Sequence, residues 1–194
     1  MNRTQEPLAL HASGATLSKG RSKPEQIYAI GGEVYVRAGS AAWKRGPASD
    51  PEMQNKVEDL VAATAEFVQY ADQDAHAVQL TKSAGTVQLR VHVASQKLSA
   101  VRDRPYVKKA VRELRPILEQ LRNAGVAAAE NQLTLDRLEE TLVLNPTTYR
   151  VISHRFRFTF LIPYNGRSIT YSQDVTEGSL ETFSGEIALP AGAN

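Results

Sequence analysis

The sequence predicts an α+β fold: a mainly antiparallel sheet with two amphipathic helices packed on one face, in a βαββαββ-like order. Three observations predict it. Short segments of strict apolar–polar alternation recur along the chain, two longer stretches carry apolar residues at three- and four-residue spacing, and Gly, Asn and Pro turn signals separate them. Strands and helices in this succession favour helices covering one face of the sheet.

Composition narrows the class. A chain of 194 residues buries roughly 70% of its unfolded surface on folding, so it requires no disulfide or metal staple. The absence of cysteine removes disulfides, thiolate nucleophiles and sulfur-ligated zinc. A formal charge of +2, from 23 basic and 21 acidic residues, is too balanced to mark a dedicated polyanion binder. The only apolar run near the start, Leu8 to Leu10, is too short for a signal peptide, and no window has the length of a membrane span. The expectation is a soluble protein, cytoplasmic during its synthesis, with no secretion signal.

Residues 1–24 are rich in Ser, Gly, Thr, Lys and Arg and lack apolar periodicity, which predicts an extended N-terminal arm followed by a single α+β domain over 25–194. Ile27 to Ala38 reads as a hairpin or a bulged strand around Gly31 and Gly32, and the following GSAAWKRGPASD as loop. Asp50 as N-cap and Pro51 at the first helical position then start a helix. Met53, Val57, Leu60, Val61, Phe67 and Val68, with Thr64 as the one polar member, carry its stripe to about Ala71.

HAVQLTKS and TVQLRVHVA flank an Ala84-Gly85 turn, and Val87, Leu89, Val91 and Val93 point one way. A second helix runs from about Tyr106 to Asn123, with Val107, Val111, Leu114, Leu118 and Leu121 on one face and a kink predicted by Pro116 near Arg112. Segment 132–144 is ambiguous: Leu133 and Leu135 alternate like a strand, while Leu135, Leu138 and Leu142 fit a helix. Asn145-Pro146 turns the chain into a long strand, Asn165-Gly166 marks a further hairpin, and Glu186 to Leu189 reads as an edge strand.

No complete catalytic, metal or nucleotide motif occurs, so the expectation is no enzyme, no cofactor and no metal. His11, His76, His92 and His154 show no ligand spacing, and His154 reads as a hydrogen-bonded core or interface histidine. The neighbouring carboxylates Glu139 and Glu140, like Asp72 and Asp74, read as solvated.

The stretch SHRFRFTFLI, Ser153 to Ile162, separates its residue types by face. His154, Phe156, Phe158, Phe160 and Ile162 form an apolar core face, and Arg155 and Arg157 lie opposite, toward solvent or a subunit. RNA-binding sheets carry glycines between the basic and aromatic positions, and this segment has none. On the second helix Lys108, Arg112, Arg115 and Arg122 fall on one flank, interrupted by Glu119, with Arg102 and Arg104 just before it. A solvated face outweighs a nucleic-acid contact there, and these four residues with Arg155 and Arg157 are the candidate interface or polyanion contacts.

From Val87 to Ile162, a strand, a long helix ending in LRNAGV, a strand of the QLTL kind and TTYRVISHRFRFTF together resemble the SIMPL-domain family. That resemblance implies an oligomeric binding or stress-related protein without defined catalytic residues, from a family whose members are usually exported. In architecture the polar arm and sheet-and-helix body are similar to neck and tail-terminator subunits of tailed-phage particles. The function expected is a non-enzymatic structural subunit of a virion, forming homo-oligomers and contacting other structural proteins through its arm, its tail and the basic faces. The alternatives are a SIMPL-like protein and a nucleic-acid-binding module.

Overall fold

The computed structural model describes residues 2–5, 8–18, 21–54, 56–57, 60–178 and 186–193. The fold is α+β, and the strand pairings within it are antiparallel. The chain divides into two compact units, Met1–Asp59 with Gly178–Asn194, and Leu60–Glu177.

The first unit is a meander of β1 (Asn2–Gln5), β2 (Leu8–Ser18), β3 (Arg21–Ile30), β4 (Glu33–Ala38) and β5 (Lys44–Pro47), paired in that order. Most of the segment expected as an arm is thus strand. Backbone pairing of β2 with β3, from Ala9 opposite Ile30 to Ser18 opposite Arg21, needs no apolar stripe, which is why periodicity gave no sign of it. Gly31 and Gly32, at φ 61° and 81°, make the predicted tight turn from β3 to β4. The stretch read as loop contains β5, and there Gly46 is closely approached: a Cβ would sit 3.1 Å from the Met53 side chain, which would have to shift by a few tenths of an ångström. Val34, Val36 and Met53 form this unit's small core, with Ile27, Ala29, Ala48 and Val57 against it.

Asp50 caps α1 (Pro51–Gln54) as predicted, its Oδ1 accepting from the Glu52 amide at 2.8 Å. The helix does not run on to Ala71. A separate α2 spans Leu60–Gln73, because Met53 and Val57 pack in the first core whereas Ala63, Phe67 and Tyr70 pack in the second. Val68, expected in the stripe, is 57% exposed. Glu186 to Leu189, expected as an edge strand, is irregular.

The second unit holds a sheet in the order β11 (Arg167–Gly178), β10 (Val151–Tyr164), β9 (Thr134–Leu144), β7 (Val87–Val93), β6 (Val78–Lys82), with the two-residue β8 (Gln96–Lys97) also on β9. Helix α3 (Pro105–Asn123) joins α2 over one face. It continues through Pro116, and its Val107, Val111, Leu114, Leu118 and Leu121 all meet the core as predicted. The alternations of β7 and β10 also hold: Val87, Val91 and Val93, then His154, Phe156, Phe158, Phe160 and Ile162, are buried.

The ambiguous segment is the strand β9. Phe160 faces Leu135 and Thr159 faces Arg137, so Asp136 is an extra residue in a β-bulge. The bulge resets the alternation and turns both Leu135 and Leu138 inward. Their three-residue spacing, which imitates a helix, is the bulge itself.

Candidate interaction surfaces

Alternation along β9 sends adjacent glutamates to opposite faces. Glu139 lies on the open face of the sheet, between Arg90 at 3.0 Å and Arg157 at 2.6 Å. Beside it Arg155 grips Asp174 with two hydrogen bonds, Nε to Oδ1 at 2.8 Å and Nη2 to Oδ2 at 2.5 Å. Burial pushes the Glu139 carboxyl up, but the hydrogen bonds from Arg157 and Arg90 outweigh it and hold the group below its ordinary value. The Arg155 hydrogen bond likewise holds Asp174 below the usual carboxylate range.

Arg155 and Arg157 are therefore on the outward face, as the alternation predicts, each paired with a carboxylate on a neighbouring strand, and Arg157 shares its partner with Arg90. Thr159 and Ser172 join the same face through hydroxyls 3.0 Å apart. This surface is a cross-strand polar network rather than a cationic patch.

The α3 row differs. Lys108, Arg112, Arg115 and Arg122 are all exposed, and among the described residues none of the four forms an ion pair. Arg102, just before the helix, is already shared with Glu130 at 3.3 Å. Among the described residues the six predicted contact residues thus separate into four cations that form no ion pair and two that do, Arg155 with Asp174 and Arg157 with the Glu139 it shares with Arg90.

A third cluster was missed in the sequence. Glu140, read as solvated, is fully buried, and its Oε1 lies 2.9 Å from His154 Nε2 and 3.3 Å from Lys109 Nζ. Lys109 reaches Glu66 of α2 at the same distance and sits 4.7 Å above the Phe156 ring. The signal was present: once 134–144 is a strand, Glu140 falls between Leu138 and Leu142 on the apolar face, where a carboxylate must find partners. The cluster ties α2, α3, β9 and β10 together and is sealed from solvent at Glu140 and His154.

The last surface is an edge. Strand β11 runs 12 residues, and among the described residues its one strand neighbour is β10. No group of three or more His, Asp or Glu side chains that could hold a metal ion occurs among the described residues, and no described helix is long and apolar enough to cross a membrane. Comparison with protein families, curated proteins and solved structures finds no match to this chain.

Proposed function

We propose that the chain is a non-enzymatic structural subunit of a larger oligomeric assembly and works through subunit–subunit contacts. The observation that carries this reading is β11. Among the described residues β10 is the one strand neighbour of this 12-residue strand, which carries no proline or lysine, and a strand at a sheet edge is a partner for another strand or a site of aggregation. The similarity to neck and tail-terminator subunits of tailed-phage particles rests on architecture, a polar N-terminal arm with a sheet-and-helix body, and that setting is part of the proposal. Light scattering on the full chain tests it. A defined oligomer supports the reading, and a strict monomer at every concentration, alone and with candidate particle components, removes it.

One observation favours a second reading, a polyanion contact through α3. Exposed cations at positions 108, 112, 115 and 122, which form no ion pair among the described residues, are what a phosphate backbone would engage. Duplex binding that weakens with salt, with a log–log slope of up to roughly −3.6 for four contacts, supports it. Loss of that slope on changing all four to Gln assigns the contact to α3, and salt-independent or absent binding excludes it.

A further inference from the structure

Large apolar side chains left in water on the second unit form two groups, Tyr149 with Ile152 and Val68 with Leu80, and beside each stands a charge of one sign. The remaining one, Tyr164, flanks the Asn165-Gly166 turn at the other end of β10. We infer that the hairpin tip carrying Tyr149, Arg150 and Ile152 docks on the edge carrying Val68, Asp72 and Leu80 of a second copy; the inference rests on the assembly reading and names the surfaces that meet.

The tip between β9 and β10 is tightly closed. Asn145 Oδ1 accepts from the Thr147 and Thr148 amides at 2.9 Å each, the Asn145 carbonyl accepts from the Tyr149 amide at 2.9 Å, and the Asn145 amide donates to the Arg150 carbonyl at 2.9 Å. This closure holds Tyr149 at φ 55°, a left-handed conformation that glycine adopts with less strain. Burial gives little in return, because Tyr149 is 65% exposed. Further on, Val151 pairs with Leu144 and Ser153 with Val143, so Ile152 is the extra residue of a bulge, and it is 41% exposed. Arg150 between them is exposed and forms no ion pair among the described residues. Local strain of this kind gathers where a contact depends on it, and Tyr and Arg are the common anchors of protein interfaces.

The second group lies where α2 packs against β6. Leu80 faces Leu89 across the ladder, and Leu89 packs against the core, so Leu80 is on the side of the sheet that the helices cover; β6 ends the sheet, and Leu80 is 57% exposed. Val68 of α2 is equally exposed, and Asp72 lies one turn further along the same helix face, exposed and without an ion pair among the described residues. Asp74 already accepts from the His76 amide at 3.0 Å, and Lys82 stands at the far end of β6 from the turn that follows α2. Docking covers Leu80 and Val68 with Tyr149 and Ile152 and brings Arg150 to Asp72, so apolar area leaves water while opposite charges meet. Two tips or two edges in contact would set Arg150 against Arg150 or Asp72 against Asp72. The contact therefore joins unlike surfaces, and each copy offers one of each.

Sedimentation of the full chain and its variants tests this. Because glycine suits φ 55°, Tyr149→Gly keeps the circular dichroism and melting temperature of the unaltered chain and weakens self-association at least about tenfold. Leu80→Gln does the same from the other surface. An equimolar mixture of these two variants, each with one surface intact, recovers a pair that neither forms alone. Arg150→Glu weakens association too, and adding Asp72→Arg in the same chain restores it. An oligomer indifferent to both single changes, or a mixture that stays monomeric, overturns the docking and leaves the assembly reading standing. A Tyr149→Gly chain that melts well below the unaltered one makes the ring part of the fold and overturns it as well. An unaltered chain that stays monomeric by itself also overturns the docking, and the assembly reading falls with it only if candidate particle components leave the chain monomeric too.

Discussion

His154 Nε2 lies 2.9 Å from Glu140 Oε1, with both side chains shut inside an otherwise hydrophobic core. Glu140 is the hub of this pair because Lys109 approaches the same oxygen. Replacing Glu140 with Gln withdraws the charge that offsets Lys109. The expected loss is about 3 kcal/mol, the low end for breaking a buried pair, since Glu66 remains beside the ammonium. Urea unfolding of the full chain measures it. Exchanging Glu140, Lys109 and His154 together for Leu, Met and Phe should cost far less than the single change, because no buried charge is then left uncompensated.

Acid should weaken the second unit through Glu139 and Asp174. Both carboxyls are held below their ordinary values when folded, so the unfolded chain binds the extra protons as pH falls. Their contribution is fully present above the unfolded values and is lost as pH drops through the folded ones. A stability–pH profile should therefore fall below about pH 5, and Glu139→Gln should flatten that slope while lowering stability at neutral pH. An unchanged slope would show that the arginine pairs do not persist in solution.

Deleting Asp136 should be far more damaging than mutating it. The extra residue is what lets Leu135 and Leu138 both face inward, and without it every residue on one side of the deletion changes face or register. Loss of a buried leucine alone costs roughly 2–5 kcal/mol, so thermal unfolding of the deletion should show at least that, whereas Asp136→Ser should stay within about 0.5 kcal/mol.

Pro116 is exposed within a continuous helix, where the Arg112 carbonyl has no amide to receive. Pro116→Ala should raise stability by roughly 1–3 kcal/mol in chemical denaturation. No gain would mean that the carbonyl is already satisfied and the backbone relaxed around it.

Strong local patterns were legible in the sequence. The faces of β7, β10 and α3, the Asp50 cap and the Asn165-Gly166 turn follow from period, capping and turn chemistry, which neighbouring residues settle among themselves. The candidate cations were legible as a list, but not their state: Arg155 and Arg157 are matched by Asp174 and Glu139, which lie on other strands. By itself the sequence determined the α+β class, the core face of each strongly periodic element and the basic row of α3. Tertiary structure decided the rest. Pairing between strands made strands of residues expected as an arm, two separate cores divided one apparent helix, and a bulge against β10 turned an ambiguous leucine spacing into β9. In each case the deciding energy comes from hydrogen bonds and burial between segments, which no local window of residues contains.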